Sequence, residues 1–179
     1  WSDYILEIVN LGISSQTLVA VINTLHCRVT EMSIECYTQY RIDKNLQHWQ
    51  DRFANAQHDG IPITALDQII GQLATMRSVV CRYIYFLRNI CNDDAFMKLE
   101  SREMSGWREL DGYYIALEYH YLAFATKIAA QQDGVIEIQE GEVYAMQAVE
   151  DIFFVIQRAI DRAISSGEQG NIYAVCSRV

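Results

Sequence analysis

The chain has 179 residues, 51% of them hydrophobic, with one proline, nine glycines and a formal net charge of −9. That length and apolar content suffice for one buried core, and the shortage of turn residues argues against a sandwich or barrel, which needs a turn signal every ~8–12 residues. The negative charge speaks against nucleic acid, whose phosphates require clustered Lys and Arg, and against direct polybasic contact with anionic lipid.

An all-α fold is therefore expected: an elongated antiparallel helical bundle, one segment of a helical rod. Residues 1–12 read as the tail of a preceding element, closed by Gly12. The first long helix is expected from about Ser15 to Phe53. Leu18, Ile22, Leu25, Val29, Met32 and Cys36 step by four and three, as apolar residues on one helix face do. The stripe then changes phase to Ile42, Leu46, Trp49 and Phe53. At 1.5 Å per residue such a helix would be roughly 60 Å long.

Residues 55–62 form a turn, with His58, Asp59 and Gly60 as breakers. Thr64 is expected to cap the next helix, with Asp67 three residues on as in a capping box. Leu66, Ile69, Leu73, Met76, Val80, Tyr83, Leu87 and Ile90 follow in heptad spacing. Ile70, Val79, Ile84 and Phe86 widen the stripe beyond a two-stranded seam, so several helices should surround it. The helix should end near Asn92–Asp94, and residues 95–105 read as a charged connection or a short helix. A further helix spans about Gly106 to Gln131, with Leu110, Tyr114, Leu117, Tyr121, Phe124 and Ile128 on one face, and Gly134 ends it.

Residues 133–151 hold six acids and no base: Asp133, Glu137, Glu140, Glu142, Glu150 and Asp151. They read as a solvated connection; a docking point for a basic partner is the sharper alternative. Then comes VEDIFFVIQRAIDRAISS, Val149 to Ser166, a clean amphipathic helix. Val149, Ile152, Phe153, Ile156, Ile160, Ala163 and Ile164 are expected to face the core, with Asp151, Arg158, Arg162 and Ser165 opposite. Phe154 and Val155 flank that stripe. Ser165, Ser166 and Gly167 break the chain before residues 167–179, the start of a last helix carrying Ile172, Tyr173 and Val175. Taken together, 1–179 reads as a single helical-bundle fragment of a longer protein, with neighbouring helices antiparallel because their connections are short.

The sequence offers little chemistry. It has no phosphate loop, dinucleotide fingerprint, H-E-x-x-H, G-x-S-x-G or calcium loop. The histidines His26, His48, His58 and His120 form no i, i+4 pair, and Glu118 and His120 diverge on a helix. His26 beside Cys27 points ~100° away from it, which suits packing better than metal binding. Cys27, Cys36, Cys81, Cys91 and Cys176 are odd in number and lack a CxxC, as reduced core thiols would be. No apolar run reaches the ~18 residues of a membrane span. Glu150 and Asp151 suit a helix start without catalysis. Tyr113, Tyr114, Tyr119 and Tyr121 come closest to a cluster. They could line an aromatic pocket for a small molecule or lipid, although aromatic residues packed between helices explain them as well. No catalytic, cofactor-binding or metal-binding residue is therefore assigned, no cofactor is expected, and the chain does not read as an enzyme.

Two blocks resemble a known family. Glu109-Leu110-Asp111-Gly112-Tyr113-Tyr114, followed by Glu118, is similar to an E-L-x-G-Y-Y segment, and Val149–Ser166 is similar to a run in which Glu150 replaces an Asp. Weaker similarity covers Val21-Ile22-Asn23 with Leu25, and Tyr83–Leu87 with Arg88. Their order resembles the family of subunit 4 of the conserved oligomeric Golgi complex. The resemblance implies a rod-like subunit of a multiprotein vesicle-tethering complex, peripheral on the cytoplasmic face of the Golgi. It also implies a role in retrograde intra-Golgi transport and SNARE-dependent fusion. The partners so implied are sister subunits of that complex, with SNARE contacts made mainly outside this chain.

Overall fold

The computed structural model describes residues 15–54, 62–90, 105–131 and 147–178. The readings for residues 1–12, the turn at His58–Gly60, the connections at 95–104 and 133–146, and Cys91 lie outside the described residues, as do the side chains of Leu18, Phe53, Leu87 and Ile90. Six helices are described, and no strand is found among the described residues: α1 (Ser15–Asp43), α2 (Leu46–Ala54), α3 (Ile63–Ile90), α4 (Ser105–Gln131), α5 (Gln147–Ser166) and α6 (Gln169–Cys176). The chain divides into two compact units, residues 1–40 and 41–179.

The single long helix expected from Ser15 to Phe53 is two. Asn45 adopts φ +49°, a left-handed conformation that Asn tolerates better than most residues and that cannot continue a right-handed helix. Its N–H donates to the Ile42 carbonyl at 3.0 Å, closing α1, and α2 restarts at Leu46. The break falls where the apolar stripe changes phase.

In the first unit the described part is α1. Its apolar row does not form a core: Leu25, Val29, Met32 and Cys36 are exposed, while His26, Thr30 and Tyr37 are buried. The buried face of α1 is thus the one that carries His26, Thr30 and Tyr37 rather than the heptad row.

In the second unit α3, α4 and α5 each pack on the other two, α6 packs on α4 and α5, and α2 packs on α4. The heptad of α3 is largely as expected: Leu66, Ile69, Leu73 and Val80 are buried, with Ile70 and Ala74 beside them. Val79 and Phe86, expected to widen the buried stripe, are exposed. In α4 the buried row Leu110, Tyr114, Leu117 and Tyr121 is joined by Trp107, Tyr113, Leu122, Ala125 and Ala129. Thr64 is no cap. Pro62 stands just before the helix and its carbonyl accepts from the N–H groups of Ala65 and Leu66, which leaves Thr64 inside the first turn.

The largest correction concerns α5. Its buried row is Val155, Ala159, Ala163 and Ser166, whereas Phe153 is 68% exposed, Ile164 57% exposed, and Ile152, Ile156 and Ile160 are half-buried. The helix is turned away from its apolar stripe because Arg162 points inward. Small residues at 159 and 163 allow the close approach. Gly167 ends the helix at φ +72°, a conformation that disfavours L side chains, and a Cβ there would meet the Cβ of Cys81 at 3.2 Å.

Candidate interaction site: two charged clusters inside the bundle

Glu118 sits in the apolar stripe of α4, flanked at i−4 and i+3 by Tyr114 and Tyr121, and is 0% exposed. A buried carboxylate requires a partner. Arg162 of α5 supplies it with a two-pronged contact: Nε donates to Oε2 at 3.0 Å and Nη2 donates to Oε1. The third guanidinium nitrogen, Nη1, donates to Asp67 of α3. Asp67 also receives Arg158, whose Nε donates to Oδ1 at 2.9 Å and whose Nη2 reaches Oδ2. The Arg162 guanidinium lies 4.5 Å from the centre of the Tyr121 ring, a cation–π contact. The Tyr114 hydroxyl is buried beside Glu118 without a well-formed hydrogen bond.

A second cluster lies further along α3. Arg77, 3% exposed, donates from Nε to Asp111 of α4 at 3.0 Å and from Nη2 to Glu168, which precedes α6. Asn171 of α6 donates from Nδ2 to the same Asp111 oxygen at 3.0 Å. Asp111 and Glu118 are seven residues apart on one face of α4, so one helix presents a carboxylate to each cluster. The order of the pairs also fixes direction. Moving along α3 from the cluster at Asp67 to the cluster at Arg77, the α4 members run backwards from Glu118 to Asp111, while the members further on run forwards from Arg162 in α5 to Glu168 beyond its end. Hence α4 is antiparallel to both α3 and α5, and α3 and α5 are parallel.

Burial dominates the acid–base behaviour of these groups. It pushes the carboxyls of Glu118 and Asp111 above their ordinary range, with Arg162 and Arg77 respectively drawing them part of the way back. Burial pulls Arg162 down, but hydrogen bonding and charge from Glu118, with the charge of Asp67, outweigh it and raise the guanidinium further. The phenols of Tyr114 and Tyr121 are raised as well, first by burial and then by the neighbouring carboxylates. Each base in the clusters is spent on a carboxylate, and each cluster lies between helices. This arrangement joins elements.

The sequence placed Arg158 and Arg162 on the solvent side of α5; the structure brings both to Asp67. Glu118 figures in the sequence reading as a neighbour of His120 and as the residue that follows the E-L-x-G-Y-Y block, and Asp67 as a capping partner, neither as a member of an ion pair. One signal was present: Asp111 and Glu118 interrupt the apolar face that carries Tyr114 and Tyr121 at helical spacing. The four tyrosines do not line one pocket. Tyr113 donates to Gln47 of α2 at 2.9 Å, Tyr114 lies beside Glu118, Tyr121 lies under Arg162, and Tyr119 faces outward with Arg178 4.8 Å from its ring centre. An open cleft of about 360 Å³ lies between the start of α3, the end of α4 and the start of α5, with Tyr121, Ile128 and Phe154 in its wall. Among the described residues no group of three His, Cys, Asp or Glu could hold a metal ion. No described helix is long and apolar enough to cross a membrane.

Residues 15–179 match the model of the COG4 transport protein family, in its middle alpha-helical bundle. The chain belongs to that family. No curated protein and no solved structure matches it significantly. COG4 membership makes the chain an internal bundle of a subunit in a multisubunit Golgi transport and tethering complex, from a family that is not an enzyme family. The two blocks that resemble the family supply part of both clusters, the rest coming from α3 and from residues 168–171. The first holds Asp111 and Tyr114 and leads to Glu118; the second holds Arg158 and Arg162.

Proposed function

We propose that this bundle is a structural and interaction segment of a vesicle-tethering subunit acting in retrograde intra-Golgi transport and SNARE-dependent fusion, peripheral on the cytoplasmic face of the Golgi. Membership of the COG4 family supports the reading. The observation that carries it further is the use of every clustered charge to fasten α3, α4, α5 and α6 together, which suits a part that must keep its shape while partners bind. The test is replacement of the bundle's Arg162 by Met in the full subunit, expressed in cells lacking the native one. Expected outcomes are loss of the subunit from purified tether complexes and dispersal of resident Golgi glycosyltransferases. Normal glycosyltransferase positions together with an unchanged complex would overturn the proposal.

A further inference from the structure

The outer face of α5 carries Val149, Phe153, Ile156, Ile160 and Ile164 in one row, and at about 100° per residue Phe153 stands roughly opposite the inward-facing Arg162. Phe153 and Ile164 are more than half exposed, Val149 is exposed, and Ile156 and Ile160 are half-buried. The row covers 15 residue steps, about 22 Å at 1.5 Å per residue, the length of four helical turns. An apolar row of this length on the surface marks an interaction site rather than chance exposure. One edge of the row is acidic. Glu150 and Asp161 lie along it, both exposed, and neither is ion-paired among the described residues.

We infer that this row is a docking surface for an amphipathic helix of another protein, one that carries Lys or Arg along the edge meeting Glu150 and Asp161. Spacing and charge select that occupant. The steps of four, three, four and four match a facing helix with apolar residues at i, i+3 or i+4, and i+7. Charge decides among the alternatives. A second copy that pairs its own α5 with this row brings no free base to the acidic edge, because the bases of α5, Arg158 and Arg162, are held by Asp67 and Glu118. The sequence of residues 132–146 carries Asp133, Glu137, Glu140 and Glu142 and no base, a charge that would oppose its docking on this edge. An anionic lipid surface is repelled for the same reason. A basic helix gains apolar burial along the row and opposite charge along the edge, and the charge steers its approach.

The inference deepens the tether reading by naming the chemistry of a partner, and its test requires no other tether subunit. Peptide binding and assembly of the complex can therefore fail independently. The probe is a fluorescent 18-residue helical peptide with Leu at heptad positions and Lys along one flank, measured by anisotropy against the 179-residue chain at physiological salt. Controls are a scrambled peptide of the same composition and a version with Glu in place of Lys. The Lys-flanked peptide should bind at least tenfold tighter than either control. Phe153→Ser should remove that advantage without changing the melting temperature. Glu150→Lys with Asp161→Lys should reverse the preference toward the Glu-flanked peptide. Equal binding of scrambled and ordered peptides, or no effect of Phe153→Ser, would overturn the inference. So would binding to phosphatidylserine vesicles that Phe153→Ser abolishes, which would assign the row to membrane. A dimer in sedimentation that the same substitution dissolves would assign it to a second copy and overturn the inference too.

Discussion

Glu118 and Arg162 show how a costly pair can be worth keeping. Removing both charges from water is expensive, and their mutual attraction roughly offsets that cost when the geometry is good. Removing one partner is another matter, because Glu118 would remain fully buried and alone. Arg162→Met is expected to cost about 3–5 kcal/mol of stability. Replacing Asp67, Glu118 and Arg162 together, Asp67→Leu, Glu118→Leu and Arg162→Met, with the half-exposed Arg158 left to solvent, should restore stability to within about 1 kcal/mol of the parent or exceed it. Urea denaturation of the two variants measures both outcomes. The same site makes a pH prediction whose sign follows from burial. Burial raises the folded carboxyl of Glu118 above its unfolded value near 4.3, so in that window the folded chain holds a proton the unfolded chain has released. The contribution of Glu118 is therefore lowest at neutral pH, rises as the pH falls through the folded value, and is complete below about 4.3. Glu118→Gln, which does not titrate, should cost more at pH 4 than at pH 7.5 when paired melts are compared.

At the scale of the elements, α5 decides between two ways of orienting a helix. Its apolar stripe is the clearest in the chain, yet the ion pairs and the small side chains set its rotation. The two orientations predict opposite sensitivities. Ala159→Leu, at a position 0% exposed, should overpack the α5 interface and cost about 1–3 kcal/mol, whereas Phe153→Ser should change stability by less than about 0.5 kcal/mol. Reversed costs in thermal melts would restore the stripe to the core. The existence of α3, α4 and α5, and the buried rows of α3 and α4, were legible because long uninterrupted apolar periodicity is a strong signal. The rotation of α5 was not legible, because periodicity ranks residues by hydrophobicity and has no place for an arginine whose partners lie 44 and 95 positions away. The break at Asn45 left a faint trace in the changed phase of the stripe, but one residue at φ +49° is a local backbone event that composition does not announce. Of the acidic edge only Glu150 stood out in the sequence, as part of the acidic run at 133–151, while Asp161 and the exposed row beside it could be found only once the inward face was known.

Taken as a whole, the second unit is fastened at two levels, with α3 giving the acid at one and the base at the other. At the first, α5 gives the bases and α3 and α4 give the acids; at the second, α3 gives the base, and α4 and the start of α6 give the acids. The levels are ten residues apart on α3, about 15 Å along the axis. A shift of α5 along α3 by one turn, about 5.4 Å, would break the Arg162 contacts at Asp67 and Glu118 and drag Glu168 from Arg77; in one direction it brings Arg158 toward the place of Arg162, in the other it brings Ser166, which carries no charge. The consequence is mechanical. Under the proposed tether role the bundle would bear tension, and hydrophobic contacts alone let helices glide past one another because one greasy position is much like the next. Paired charges at fixed heights make the sliding coordinate stepped, so the bundle resists shear and then yields abruptly. Stretching the chain between its ends in optical tweezers should show one sharp rupture for the second unit, and the triple apolar replacement at Asp67, Glu118 and Arg162 should lower and broaden that rupture although its equilibrium stability is undiminished.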